Sequence, residues 1–171
     1  MGALTQEAFA RAAAALGVPL EREVLQRFAR YRELTAAANA RFNLTSSVAL
    51  ADIERVHFLD ALSLAPLLPR GTTSLVDVGS GGGFPGLVLA AALPELRVTL
   101  VEASRKRAAF LRETAAALGV AARVEEGRAE TLARAPELRE ASDAATARAL
   151  GALPVVLELT LPFLRAGGVL L

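Results

Sequence analysis

Cysteine is absent from this chain, and histidine and lysine are almost as scarce. Its 171 residues include one histidine, His57, and one lysine, Lys106, among 19 basic residues. Without cysteine the chain can form no disulfide, no thiolate zinc site and no cysteine nucleophile. A single histidine cannot build a histidine metal cage, so we expect no metal site.

Long apolar runs and a secretion signal are also missing. The N-terminal residues include Glu7 and Arg11 instead of a basic start followed by an apolar core. The composition, 53% hydrophobic and 22% charged with a net charge of +1, is typical of a globular protein and indicates nothing about nucleic acid. We therefore expect a cytoplasmic protein without a membrane segment.

Hydrophobic periodicity divides the chain into two parts. Residues 1–70 have a helical pattern and predict an N-terminal helical cap, while residues 71–171 alternate between strands and helices. We predict strands near 74–78, 97–102, 121–125, 143–148 and 167–171, and helices near 85–93, 104–118, 129–140 and 152–165. Such alternation is typical of an α/β fold, a Rossmann-like, doubly wound, mostly parallel sheet.

The segment from Leu75 to Gly86, LVDVGSGGGFPG, is the most informative part of the sequence. Its apolar start predicts a buried parallel strand, and glycines at alternate positions after the strand allow a ligand to approach the main chain. Pro85 suits the first position of a following helix. Ligands of open α/β sheets bind at this carboxyl end of a strand.

The spacing of the glycines separates the possible cofactors. Nicotinamide and flavin sites prefer G-x-G-x-x-G, whereas here Phe84 follows Gly83. Asp77 two residues before Gly79, with Gly81 and Gly83 after it, resembles motif I of S-adenosylmethionine-dependent methyltransferases. A tight turn without a ligand is the alternative.

A second acidic residue follows the next predicted strand. Glu102 ends the segment RVTLVE, nineteen residues after Gly83. A carboxylate at this position can accept hydrogen bonds from both hydroxyls of a ribose, although a solvated acid at a strand end is also common. Because adenosylmethionine and NAD both carry an adenosine ribose, Glu102 does not distinguish them.

The helix predicted after Glu102 begins with three basic residues. Ser104 is a suitable N-cap and Gly119 a suitable C-terminal residue. Arg105, Lys106 and Arg107 lie in the first turn, where cations oppose the helix dipole. An anionic partner would account for them, and a solvated basic face is the alternative.

His57 and Asp60 are three residues apart in a predicted helix around 52–64, and hence lie on one face of it. A histidine beside an aspartate can act in catalysis, but the pair is also common as a structural contact.

Six short segments occur together in an order typical of one family. They are Asn43-Leu44-Thr45, His57-Phe58-Leu59-Asp60, the loop from Asp77 to Gly86, Lys106-Arg107 with Phe110-Leu111, Gly127-Arg128-Ala129-Glu130 and Ala147-Arg148-Ala149. On these segments the chain resembles the glucose-inhibited division protein B family, the bacterial guanine-N7 methyltransferases of 16S ribosomal RNA. It departs from the usual pattern at Ala61, where serine is common, and at Val56, where a basic residue often precedes the histidine.

The resemblance implies roles for the matching residues. S-adenosyl-L-methionine is the implied cofactor, and the cofactor-binding candidates are Asp77, Gly79, Gly81, Phe84, Glu102, Ala103, Ser104, Ala129, Glu130 and Arg148. Of these, the resemblance places Ala129 and Glu130 at the adenine. The catalytic candidates are His57, Asp60 and Arg148, and the RNA-binding candidates are Asn43, Arg55, Lys106 and Arg107. For Arg148, pairing with Asp77 or Asp143 is the structural alternative.

The chemistry implied is methyl transfer by in-line displacement. N7 of guanine carries an in-plane lone pair and needs no general base, so positioning is the main requirement. We hypothesise that the carboxylate of Asp60 stabilises the positive charge that develops on guanine. The expected partner is 16S ribosomal RNA or the small subunit, with the enzyme as a monomer; an NAD-type oxidoreductase and a non-catalytic cofactor-binding fragment remain alternatives.

The predicted fifth strand coincides with the last residues, Gly167 to Leu171. Methyltransferase sheets of this class usually have seven strands, so we expect the C-terminal strands to be missing and a sheet edge to be exposed.

Overall fold

The first part of the chain is helical, as its periodicity predicts. The computed structural model describes residues 4–46 and 50–171. Helix α1 spans Gln6–Ala15 and α2 spans Arg22–Asn39. A π-helix over Glu54–Leu59 continues into one α-helical turn, α3, at Asp60–Leu62, and a 3-10 turn follows at Ala65–Leu67. π-Helical turns are rare in proteins, and those that occur are often found at functional sites.

Strands and helices then alternate, which confirms the predicted α/β fold. The strands are β1 (Ser74–Val78), β2 (Arg97–Glu102), β3 (Ala122–Glu126), β4 (Ser142–Thr146) and β5 (Leu164–Leu170). The helices are α4 (Gly86–Ala92), α5 (Arg105–Leu118), α6 (Ala129–Leu132) and α7 (Leu153–Thr160), the last followed by a 3-10 turn at Leu161–Phe163. All four strand pairings are parallel, in the order β3-β2-β1-β4-β5.

The two faces of the sheet are buried under different helices because successive strand residues point to opposite faces. On one face, Leu75 and Leu100 pack with α4 and α5. On the other, Val76 and Val101 pack with the region of α6 and with Phe163. The strand order reverses between β1 and β4, so the carboxyl ends of these two strands border the crevice where such sheets bind ligands.

The N-terminal helices pack on the helical layer of the first face. Phe9 of α1, Phe28 of α2 and Phe58 of the π-helix form a cluster of rings with centroids 5.0–6.1 Å apart. This cluster belongs to the same apolar core as Leu87 and Leu111 of α4 and α5. The division into a cap at 1–70 and a sheet domain at 71–171 stays a prediction.

Four predicted boundaries are wrong. The helix expected at 129–140 ends at Leu132, and the helix expected at 152–165 ends at Thr160. Pro136 and Pro162 lack the backbone N–H that a continuing helix needs. The fourth strand ends at Thr146, so Arg148 lies two residues beyond it. The fifth strand begins at Leu164, three residues earlier than predicted. It contains a bulge between the pairs Ser142–Leu164 and Ala144–Val169, and the glycines at 167 and 168 lie in this bulge inside the strand.

Candidate active site

The glycine loop connects β1 to α4 and is held by backbone hydrogen bonds. The amides of Gly79 and Ser80 donate to the carbonyl of Val101 at 2.9 and 3.1 Å, which fixes the loop against β2. Gly79, Gly81 and Gly83 have φ angles of +75°, +57° and +90°. The alternate glycines therefore adopt the left-handed conformations expected of them, and Pro85 immediately precedes α4 as its N-cap residue.

Asp77 lies beneath the loop and organises its end. The residue is 1% exposed, and its carboxylate accepts hydrogen bonds from the amide of Gly86 at 3.1 Å and the hydroxyl of Thr146 at 3.0 Å. Burial raises the pKa of Asp77 from 3.8 to about 6, although the hydrogen bonds from Thr146 and Gly86 oppose that shift. The structure thus places this cofactor candidate under the loop, where it joins β1, β4 and the start of α4.

Replacing Asp77 with Asn should change how stability depends on pH. A carboxyl whose pKa is raised by folding contributes stability below its unfolded pKa and loses it as pH rises through the folded value. With a pKa raised from 3.8 to about 6, the wild type should lose about 3 kcal/mol relative to Asp77→Asn between about pH 4 and about pH 7. Urea unfolding of both proteins across this range measures the difference.

The pKa of His57 is lowered by folding, so its contribution to stability changes with pH in the opposite direction. Because His57 is present in both proteins, this contribution cancels when the free energy of unfolding of one protein is subtracted from that of the other at each pH. If the free energy of unfolding of the wild type and of Asp77→Asn changed with pH in the same way, the assignment of a buried carboxylate with a raised pKa at this position would be contradicted.

Glu102 joins the glycine loop to the loop after β2. Its side chain is buried; one carboxylate oxygen accepts from the amide of Gly81 at 2.8 Å and the other from the amide of Ser104 at 2.7 Å. A carboxylate oxygen has two acceptor positions, so each oxygen keeps one for a further donor. Glu102 is therefore not a solvated acid, which was the alternative. Ser104 is the N-cap residue of α5, but its side chain does not form the hydrogen bond expected of a cap. Ala103, between these two residues, is exposed.

Phe84 forms the centre of an aromatic stack at the end of the loop. The imidazole of His57 lies parallel to its ring, with centroids 4.2 Å apart and planes 3° apart. Tyr31 stacks at 5.6 Å, and the guanidinium of Arg148 lies 5.8 Å from the Phe84 centroid. The phenol of Tyr31 donates to the carbonyl of Gly82 at 2.6 Å, and burial raises its pKa well above the ordinary value. Helix α2 is thereby bonded directly to the glycine loop.

His57, Asp60 and Arg148, the three catalytic candidates, form one hydrogen-bonded cluster. Arg148 donates from Nη1 to Asp60 at 2.5 Å and from Nη2 to Nδ1 of His57. The opposite nitrogen of His57, Nε2, lies 2.7 Å from the hydroxyl of Thr45. Arg148 pairs with neither Asp77 nor Asp143, since Asp143 binds Arg165 at 2.6 Å.

The cluster determines the protonation of His57. Arginine can only donate, so Nδ1 must accept, and the imidazole is neutral with its proton on Nε2. Burial and the Arg148 charge lower the pKa of His57 from 6.5 to about 4. Both ring nitrogens of His57 are therefore engaged in hydrogen bonds. The carboxylate of Asp60, which was hypothesised to stabilise the charge on guanine, already forms an ion pair with Arg148.

Ala129 and Glu130, the adenine candidates, follow β3 at the carboxyl edge of the sheet. Ala129 is buried in the second core, whereas Glu130 is exposed and lines a small groove between α6 and α7 with Glu158 and Pro162. The exposed side of this short helix therefore faces α7, and the adenine role of both residues stays a prediction.

The RNA-binding candidates occupy two places. Arg107 donates to the carbonyl of Asn43 at 3.5 Å, and Lys106 lines a neighbouring groove with Arg41 and Phe42 between the end of α2 and α5. Arg55 lies on the π-helix and binds Asp52 at 2.8 Å. One surface thus holds Asn43, Lys106 and Arg107. Arg55 belongs to a different element, the π-helix, and is already ion-paired.

Four residues of the site were not identified from the sequence. They are Asn39, which binds the backbone of Leu44 and Thr45; Thr45 itself; Tyr31; and Thr146. Tyr31 lies within the region 1–70 that was predicted to be helical, and the available signal was that a buried phenol needs a polar partner. Thr45 belongs to the Asn-Leu-Thr segment, in which the exposed Asn43 was named instead.

Among the described residues, at 4–46 and 50–171, none of the helices combines the length and apolarity of a membrane span.

Comparison with solved structures identifies the fold. An O-methyltransferase from Bacillus cereus, determined in complex with SAH, aligns with a TM-score of 0.58 and 19% identity over 94% of this chain and 71% of that one. A putative O-methyltransferase from Klebsiella pneumoniae aligns with a TM-score of 0.58. The fold is therefore the Rossmann-like fold of class I methyltransferases.

Sequence comparison identifies the family. The family model for rRNA small subunit methyltransferase G, GidB, matches residues 24–171, and the chain belongs to this family. Relatives named ribosomal RNA small subunit methyltransferase G are 45% identical in Sorangium cellulosum, over 96% of this chain and 70% of the relative, and 40% identical in Leuconostoc citreum, over 98% and 72%. The predicted resemblance is confirmed, and the NAD-type alternative is no longer needed.

Proposed function

We propose that this protein transfers a methyl group from S-adenosyl-L-methionine to N7 of a guanosine in 16S ribosomal RNA. Family membership supports methylation of ribosomal RNA with this methyl donor. The choice of N7 rests on one observation, the neutral His57 with both ring nitrogens engaged. A cluster without a free base suits an acceptor atom that carries its own lone pair and loses no proton.

The residues of the loop fit the methyl donor. A Cβ on Gly81 would stand in open space, with only the carbonyl of Gly79 nearby at 3.8 Å, so this part of the main chain is open to a ligand. Glu102 keeps two acceptor positions, which suits the two hydroxyls of a ribose. Gly79, Gly81, Phe84 and Glu102 would hold the cofactor, with Asp77 supporting the loop from below.

Positioning is the contribution of the protein to the reaction. S-adenosylmethionine supplies a methyl group made electrophilic by its sulfonium. The chain holds the guanine so that the N7 lone pair is in line with the bond to be broken. Phe84, His57 and Arg148 form a layered surface beside the loop, and Arg148 is fixed by Asp60 at 2.5 Å. As N7 is alkylated the base becomes cationic, and no proton has to be removed.

Contact with RNA is assigned to the basic surface beside this layer. Asn43, Lys106 and Arg107 lie together near the end of α2, and cations in the first turn of α5 gain no stabilisation from the helix dipole. If these groups contact phosphates, the logarithm of the affinity should fall linearly with the logarithm of the salt concentration. We further propose that the enzyme acts as a cytoplasmic monomer and needs no metal for this displacement.

The test is to map the product. Ribosomal RNA and small subunits from a strain lacking the corresponding gene are incubated with the protein and S-adenosylmethionine, digested to nucleosides and analysed by mass spectrometry. We expect one 7-methylguanosine per 16S molecule, gained only when the methyl donor is present. A methyl group on another atom of guanine, or on another base, would overturn the choice of N7.

A further inference from the structure

Thr45 is held at the edge of the active-site layer by two independent contacts. The side-chain oxygen of Asn39, the last residue of α2, accepts from the amides of Leu44 at 2.8 Å and Thr45 at 3.0 Å. The hydroxyl of Thr45 is 2.7 Å from Nε2 of His57. Backbone and side chain of Thr45 are therefore both fixed, although the residue lies in a loop and is half-exposed.

The direction of the hydrogen bonds along this chain of residues is determined at Arg148. Arg148 donates to Nδ1 of His57, which leaves the ring proton on Nε2. Nε2 consequently donates to the Thr45 oxygen. A hydroxyl that accepts from a ring N–H must turn its own proton elsewhere.

That proton has no acceptor within the part of the chain that the structure describes, since the only side-chain hydrogen bond of Thr45 there is the one to His57. The hydroxyl lies beside the imidazole that stacks on Phe84, next to the glycine loop. The hydroxyl proton therefore points away from His57, and Thr45 is half-exposed. An unused donor at that place is suited to an acceptor on the substrate.

We propose that the Thr45 hydroxyl donates a hydrogen bond to O6 of the target guanine and thereby selects guanine over adenine. This inference rests on the proposed methylation of N7. On the base edge that carries N7, guanine presents the O6 acceptor, whereas adenine presents an amino group that donates. Adenine presents no acceptor there, so the Thr45 proton would stay unpaired, and its amino group could reach only the second lone pair of the hydroxyl, since the His57 N–H occupies the first.

Asn39, His57 and Arg148 act on the base only through Thr45 in this recognition. Asn39 sets the place of the hydroxyl and Arg148, through His57, sets its direction. They are positioning residues, and Thr45 is the residue that touches the substrate.

The test combines a change in the protein with a change in the base. Thr45→Val removes the hydroxyl at nearly constant volume, and 2-aminopurine at the mapped target position removes O6 while keeping N7. For the wild type we expect kcat/KM to fall about 10- to 100-fold on the 2-aminopurine RNA. Thr45→Val should lose a similar factor on guanosine and little more on 2-aminopurine, because the same hydrogen bond is lost only once.

Thr45→Ser is the matched variant, because it keeps the hydroxyl and should restore the dependence on O6. The proposal would be overturned if 2-aminopurine lowered kcat/KM of Thr45→Val by the same factor as it lowers that of the wild type, because the two losses would then be independent. An equal loss of affinity for S-adenosylhomocysteine in Thr45→Val would also overturn it, since the hydroxyl would then serve the cofactor. If the wild type forms no 7-methylguanosine at all, the proposed function fails instead.

The donor direction can be measured without catalysis. His57 is the only histidine in the chain, so nitrogen NMR of histidine-labelled protein shows a single imidazole. We expect the neutral form with the proton on Nε2 at neutral pH. A proton on Nδ1, or a charged ring, would contradict the direction on which the role of Thr45 depends.

Discussion

Gly83→Ala should destabilise the protein by roughly 3 kcal/mol or more. The added Cβ would stand 2.2 Å from the Tyr31 oxygen and 2.9 Å from Cβ of Leu87, and Gly83 has a φ of +90°. The tyrosine must move, which breaks its 2.6 Å hydrogen bond to Gly82. Urea denaturation measures the loss, and binding of S-adenosylhomocysteine should weaken with it because the loop is displaced.

A second substitution separates the causes of this effect. Tyr31→Phe alone should cost about 1–2 kcal/mol, since the carbonyl of Gly82 loses its donor. In the double variant the oxygen that meets the new Cβ is gone. The loss in the double variant should therefore be smaller than the sum of the two single losses by about 1 kcal/mol or more. Additive losses would mean that Tyr31 and Gly83 do not meet.

Gly71→Ala is the control for backbone conformation. Gly71 has a φ of +84°, close to that of Gly83, but a Cβ there would meet nothing within 4 Å. We expect a loss of about 1–2 kcal/mol from the left-handed conformation alone. Equal losses at Gly71 and Gly83 would contradict the role of close packing under the loop.

Glu102→Ala should weaken the binding of S-adenosylhomocysteine about 100-fold. The carboxylate holds Gly81 and Ser104 at 2.8 and 2.7 Å, and each charge-assisted hydrogen bond contributes about 1.5–3 kcal/mol. Its loss frees the loop and removes the proposed acceptor of the ribose hydroxyls. Because 1.4 kcal/mol corresponds to a factor of ten, titration calorimetry readily resolves the effect.

Glu126→Ala is the matched control. Glu126 ends β3 and pairs in register with Glu102, so both substitutions remove one negative charge from the same edge of the sheet. Glu126 binds the exposed Arg112 at 3.0 Å instead of a loop amide. The affinity should stay within about twofold of the wild type, since an exposed ion pair contributes little. A comparable loss in both variants would attribute the effect to charge alone.

The course of the chain around the sheet could largely be predicted from the sequence. Apolar runs before glycines, as at Leu75 to Gly79, indicate buried parallel strands, and Gly119 ends α5 with a φ of +63° as a C-terminal glycine does. The ends of α6 and α7 were missed because the apolar pattern continues past Leu132 and Thr160, while Pro136 and Pro162 prevent the backbone from following it.

The contacts of the site could be predicted only in part. Spacing and resemblance named Glu102, His57, Asp60 and Arg148, but not the connections between them. The link between Arg148 and His57 joins residues 91 positions apart, and that from Tyr31 to the loop joins residues 51 apart. Such pairs depend on how the cap packs, and local patterns carry no information about that.

The measurement that tests the site most directly is a titration followed by backbone amide NMR. S-adenosylhomocysteine and NAD are added separately to the wild-type protein, and the amides of Gly79, Gly81 and Ser104 are observed. We expect S-adenosylhomocysteine to shift these amides in a saturable manner and NAD to leave them unchanged. Saturable shifts caused by NAD, or shifts confined to residues away from the glycine loop and Glu102, would contradict it.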